Sequence, residues 1–321
     1  MEIPLTASRA VARPLPRRHV LADAHLPVIY PGFRRLPAPL IVIGMHRSGT
    51  SVVAAMLARL GVYMGAPLPD ASEGARAFDP GRRSSGYGEA EAFFRVNELL
   101  LDRAGAAWNR VEPFLAARRQ LLFERAGLAM LQAATFGPLR AGYLHRLSVA
   151  SVQPEQPLWG WKDPRNSLTL PYWLRLFPEA RVLHVRRSPE AAAESVWRRA
   201  RQWREDPGAP GRVLLKDRLT ATLLCPDRLA RAAARRLRGA RTAAPDPCLD
   251  RDYCLRLCNT YVQECSRYES LGARYEEIRY EDLLAAPEST ARRLAAFAGR
   301  PADGETIRQA ARLVAGAAAP T

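Results

Sequence analysis

Apolar positions along this chain alternate between continuous runs and a three-to-four-residue rhythm. Leu40–Ile43 is a continuous apolar run rich in β-branched residues, which suits a strand buried on both faces of a parallel sheet. Directly after it, Val52, Ala55, Met56 and Leu60 recur at helical spacing, so residues 44–51 form a strand-to-helix loop. Residues 182–185 read as a second buried strand, with Pro189 suited to the first turn of the next helix. Residues 275–280 read as a short third strand, followed by a helix over 289–298 with Leu294 and Phe297 inward. Helical spacing also appears from Phe93 to Leu101, over 170–177 and over 253–271. Residues 113–136 read as one long amphipathic stretch, with Leu115, Leu121, Leu122, Ala126, Ala129, Met130 and Ala133 on its apolar side. Strands interleaved with helices predict an α/β protein whose central, mostly parallel sheet is flanked by helices.

Other stretches carry no period. Residues 1–38 are rich in proline and arginine and read as an extended lead-in to a single domain spanning 39–321. Residues 61–86 are loop-like, with Gly65, Pro67, Pro69, Pro80 and Gly81. Around 200–270 a variable helical insertion is expected; its basic first part reads either as a substrate-facing lid or as a solvated surface.

Composition narrows the function classes. The net charge of +16 would ordinarily suggest a nucleic-acid partner. Yet only Lys162 and Lys216 are lysines among the 48 basic residues, so 46 are arginine. That skew reads as codon bias, and no nucleic-acid partner is expected; acidic substrates remain compatible. Cys225, Cys248, Cys254, Cys258 and Cys265 match no common zinc spacing. Cys254, Cys258 and Cys265 share one helical face, which fits small buried hydrophobes better than a metal site. An odd cysteine count without a secretory signal points to a reducing cytoplasm. No run approaches the roughly 18 apolar residues of a membrane span. The sequence carries no signal of oligomeric state.

The chemistry concentrates in Gly44-Met-His-Arg-Ser-Gly-Thr-Ser51. Loop amides and the first amides of the following helix converge with the positive end of its dipole, which makes an anion site. Gly44 and Gly49 keep the spacing of a nucleotide-triphosphate loop, but Thr50 stands where that loop has lysine, and the cation has moved to Arg47. This ordering resembles the 5′-phosphosulfate loop of sulfotransferases that use 3′-phosphoadenosine 5′-phosphosulfate, in particular their bacterial members. A second segment, Arg187-Ser-Pro with Ser195 eight residues after the arginine, resembles the pair that holds the donor's 3′-phosphate in that family. Trp161-Lys-Asp-Pro-Arg165 and Arg279-Tyr-Glu-Asp-Leu283 also resemble its members.

The resemblance implies a P-loop-like three-layer fold and a set of roles. His46, Arg47, Ser48, Gly49, Thr50 and Ser51 would hold the 5′-phosphosulfate, and Arg187 and Ser195 the 3′-phosphate. Lys162, a compact charge in a chain that almost always uses arginine, would offset charge on the leaving group, with Arg47 assisting. Asp163 and Arg165 form either part of that site or a structural ion pair. Glu89, in Gly86-Tyr-Gly-Glu89, fits the family's acceptor-side acid and is the expected base, with Glu91 next; a helix-start carboxylate also occurs for the dipole alone. Trp108 either lines the acceptor cleft or caps a core edge. The donor's product is adenosine 3′,5′-bisphosphate, and no metal is required.

Two rivals stay open at this level: a nucleotide-dependent kinase or triphosphatase with a degenerate loop, and an anion-binding module that has lost catalysis. The late basic, glycine-containing loop that closes over the nucleotide in many sulfotransferases is not found here, and Arg308 and Arg312 are the candidates to replace part of it. Carbohydrate, glycolipid, peptide tyrosine and small secondary metabolites all fit as acceptors, with the deciding residues at 65–85 and 200–250.

Overall fold

The computed structural model describes residues 37–65, 90–136, 158–205 and 245–317. The lead-in before Pro37, Glu89, most of the loop ahead of it and residues 206–244 of the expected insertion lie outside the described residues. Four strands, β1 (Leu40–Ile43), β2 (Gly160–Lys162), β3 (Arg181–Arg186) and β4 (Tyr275–Arg279), form one sheet in the order β2-β1-β3-β4. Every neighbouring pair is parallel: Leu40 registers with Gly160 on one side and Arg181 on the other, and Val185 registers with Ile278. The connection from β1 runs to β2 on one side, while β3 leads to β4 on the other. The carboxyl ends of β1 and β3 therefore flank a switch point, the place where parallel sheets hold ligands.

Ten helices surround the sheet among the described residues: α1 (Thr50–Arg59), α2 (Glu91–Arg103), α3 (Glu112–Ala117), α4 (Leu121–Phe136), α5 (Asn166–Leu176), α6 (Pro189–Glu205), α7 (Arg251–Ser266), α8 (Tyr280–Ala285), α9 (Pro287–Ala298) and α10 (Gly304–Ala317). Because strand side chains alternate, Leu40, Val42, Leu183, Val185 and Ile278 share one face, where they form a buried core with α1, α9 and α10. On the opposite face an aromatic block takes over. Phe93 of α2 stacks on Trp161 at 4.0 Å between ring centroids, and Trp173 meets Trp161 edge-on at 5.0 Å. Helix α7 packs on α5 and α6. Helices on both faces of an all-parallel sheet are the expected three-layer α/β architecture.

Buried polar groups knit this second face together. The Asn97 side chain is fully buried and has every hydrogen-bonding position filled. Its amide donates to Asp163 Oδ2 and Asn166 Oδ1, both at 2.8 Å, while its oxygen accepts from Thr169 Oγ1 and Trp173 Nε1. Asp163 in turn accepts from the Arg165 amide at 2.9 Å and pairs with its guanidinium at 3.1 Å. The Asp163–Arg165 pair is thus a structural one that fixes the turn between β2 and α5.

Several expected boundaries move. The stretch 113–136 is two helices, α3 and α4, separated at 118–120, where Arg118 is tied to Glu264 of α7 at 2.7 Å. The break resets the helical phase, so Leu121 and Leu122 are 52% and 80% exposed, and Ala129 and Ala133 also face outward. Met130 is buried as expected, but its buried companions in α4 are Gly127, Leu131, Ala134 and Thr135. The helix expected over 253–271 begins at Arg251, capped by the Asp250 carboxylate on the Asp252 and Tyr253 amides, and gives way to a 3-10 segment, Arg267–Arg274. Tyr280, expected in the last strand, opens α8. Cys248, Cys254, Cys258 and Cys265 are buried free thiols, as small core residues are.

Candidate functional site

The loop after β1 is held by contacts only its residue types allow. Gly44 sits at φ 138° with its amide donating to Ser167 Oγ at 3.0 Å, and a Cβ there would lie 2.3 Å from the Val185 carbonyl. Arg47, the only non-glycine at positive φ among the described residues (69°), turns the chain back. Ser48 closes the turn, its amide and hydroxyl both donating to the Met45 carbonyl at 3.2 and 2.6 Å. Gly49 then enters α1 at φ 91°. No side chain caps that helix, so the dipole end and its first amides are left for an anion. Thr50 and Ser51 occupy this first turn.

The second predicted motif folds onto the first across 148 residues. Arg47 Nε donates to Ser195 Oγ of α6 at 3.0 Å, and Arg187, just past β3, donates to the Arg47 carbonyl at 3.0 Å. The Arg187 guanidinium also lies 4.8 Å over the Tyr280 ring, the same ring that packs against Gly49. Glu281, the next residue, accepts from the Ser188 amide at 2.9 Å, and Ser188 Oγ accepts from the Ala191 amide to start α6. The Tyr280-Glu281 pair that opens α8 after the last strand thereby buttresses both motifs.

Positive charge accumulates at this point. Burial lowers the Arg47 pKa, and Arg199, Arg187 and Arg198 push it further down, while Tyr280 opposes them. His46 is driven well below the ordinary histidine value, first by burial and then by Arg165, Lys162, Arg199 and Arg47. Its ring lies against Trp108 at 4.4 Å. Lys162 is fully buried at the end of β2, in register with Val42. Among the expected site residues, His46 to Ser51, Lys162, Arg187 and Ser195 therefore converge on the carboxyl edge of the sheet. Glu89 stands one residue before the described start of this part of the chain, ahead of Ala90 and α2.

Three contributors escaped the sequence reading. Arg199 follows Ser195 by one helical turn, a spacing visible in the sequence but submerged among dozens of arginines. Tyr280 sits in the Arg279-Tyr-Glu-Asp-Leu283 motif, but its packing on Gly49 comes only from the fold, and no local pattern announces Ser167.

These features define an α/β protein with a glycine-containing strand-loop-helix at the switch point of a parallel sheet, in which Thr50 stands at the usual lysine position and the loop cation is Arg47. The chain belongs to the sulfotransferase family, whose model matches residues 39–304. Among solved structures it is similar to sulfotransferase STF9 from Mycobacterium avium, with 18% identity over 87% of this chain and 68% of the other, TM-score 0.42. It is likewise similar to the sulfotransferase domain of the Synechococcus PCC 7002 olefin synthase, with 18% identity over 88% and 80%, TM-score 0.41. No curated protein matches the sequence.

Proposed function

We propose that this protein transfers the sulfuryl group of 3′-phosphoadenosine 5′-phosphosulfate to a hydroxyl or amine of a carbohydrate, glycolipid or small-metabolite acceptor in the cytoplasm, using residues 39–321 as one catalytic domain. The observation that carries this reading is the Arg47–Ser195 hydrogen bond with Arg187 on the Arg47 carbonyl. It sets the loop cation and the Arg-Ser pair side by side, as two phosphates on one ribose require. His46, Arg47, the residues 48–51 and Arg199 would hold the 5′-phosphosulfate end, and Arg187 with Ser195 the 3′-phosphate.

In this reading Glu89 accepts the acceptor's proton as its oxygen or nitrogen attacks sulfur. The bond between sulfur and the phosphate oxygen breaks, and Lys162 and Arg47 offset the charge left on that phosphate. Alignment and fixed positive charge supply most of the catalysis, as in phosphoryl transfer. Arginine, lysine and backbone donors take the charge-neutralising part, so the reading asks for no metal.

Calorimetric titration with adenosine 3′,5′-bisphosphate, with and without Mg²⁺, tests the proposal against ATP. Micromolar, metal-independent binding is expected, and Arg187→Ala should weaken it by about 2 kcal/mol, roughly thirtyfold, the size of a lost charged hydrogen bond. Binding of ATP with Mg²⁺ in its place would overturn the donor assignment.

A further inference from the structure

The His46 ring packs inward against Trp108. Its Nε2 is buried and has no hydrogen-bond partner among the described residues. Buried polar nitrogens are nearly always partnered, so an orphan at an anion loop points to a ligand. The imidazole is also locked in place. Trp108 lies against it at 4.4 Å and Tyr261 of α7 meets it edge-on at 6.5 Å. Trp108 is itself fastened, because the Tyr261 hydroxyl donates to its carbonyl at 2.9 Å and the Tyr253 hydroxyl donates to that of Asn109 at 2.7 Å.

Charged groups face this ring from three other quarters: Lys162 at the end of β2, Arg165 in the turn before α5, and Arg199 on α6, besides Arg47 in its own loop. Four cations and a burial penalty keep the imidazole neutral. An anionic donor seated among the same cations would cancel that field and reverse the balance.

Resting on the donor assignment above, we propose that His46 is a titrating ligand of the donor: a neutral imidazole that hydrogen-bonds the phosphosulfate end through Nε2 and takes up a proton on donor binding. The proton comes from solvent, and the imidazolium becomes a further positive charge against the donor's anionic groups. Donor affinity is thereby linked to pH through a residue that is neither the base nor a permanent cation.

The test compares wild type with His46→Gln, which keeps a side-chain amide donor but cannot titrate, and with His46→Asn. Calorimetry with adenosine 3′,5′-bisphosphate at pH 5.5, 6.5 and 7.5, in buffers of different ionisation enthalpy, reads affinity and proton uptake together. The free ligand's own titration is common to every variant, so the difference between variants reports the imidazole and its coupling to the bound phosphate. Between pH 7.5 and 5.5 the wild type should gain about tenfold in affinity relative to His46→Gln, as a group whose pKa rises to its ordinary value on binding requires. Wild type should also take up a fraction of a proton that both variants lack. Matching thermal melts of the three proteins establish that the variants are folded. Tight binding with the same pH dependence and proton count in all three would overturn the role of His46 while leaving the donor assignment intact. Failure of wild type to bind at any pH would overturn the donor assignment, and this inference with it.

Discussion

Gly49 carries two constraints at once. Its φ of 91° is left-handed, and a Cβ would fall 2.3 Å from the Tyr280 ring that also supports Arg187. Gly49→Ala is expected to lower stability by about 1–3 kcal/mol and to weaken anion binding as Tyr280 is displaced, both read in urea melts with and without ligand. His184 of β3 makes a different prediction. It is buried with Nδ1 2.8 Å from the Tyr275 hydroxyl and 3.2 Å from Glu277. Burial alone would lower its pKa, but the Cys265 thiol and Glu277 together raise it to about 9. Because the folded value lies above the unfolded one, the pair's stabilisation is full below about pH 6.5 and is lost as pH rises through 9. The loss should be on the order of 2 kcal/mol in unfolding free energy between pH 6 and 10, and Glu277→Gln should flatten it.

Among the elements, α2 depends most on one polar residue. Asn97 joins it to the β2–α5 turn and to α5 itself through four hydrogen bonds. Asn97→Ala should destabilise the protein by about 3 kcal/mol, since it strands buried partners on Asp163, Asn166, Thr169 and Trp173, and chemical denaturation would measure it. Element type was readable from apolar rhythm at β1 and β3, because parallel strands buried on both faces show up as short apolar runs, whereas the three-residue β2 (Gly160–Lys162) carries no such run and was not expected. Helix phase was less so. The face expected for 113–136 presumed one unbroken helix, whereas the chain breaks at 118–120, where Arg118 pairs with Glu264, a contact between distant segments that local periodicity does not encode.

At the scale of the molecule, the donor should bridge the β1 loop and the contiguous β3–α6 segment, two pieces brought together only by tertiary structure. Saturating adenosine 3′,5′-bisphosphate is therefore expected to stabilise the whole domain, by about 2.7 kcal/mol at a hundredfold excess over Kd, and to do so equally with EDTA present. A thermal shift that needed Mg²⁺ would contradict the proposed chemistry. Glu89→Gln, by contrast, should leave that shift unchanged while cutting turnover by roughly 10²–10⁴-fold, the usual contribution of a general base. No helix among the described residues is long and apolar enough to cross a membrane.

By itself the sequence determined the anion loop, the Arg187–Ser195 spacing and the alternation of strand and helix, because each is written in consecutive residues whose backbone chemistry is local. Tertiary structure decided the rest. It turned His46 inward against Trp108, brought Arg199 to the loop, set Tyr280 beneath Arg187 and made Asp163 and Arg165 a buried brace. Those outcomes depend on which segments the sheet order places together, and on burial that converts a charge or a nitrogen into a fixed partner, neither of which any local spacing specifies.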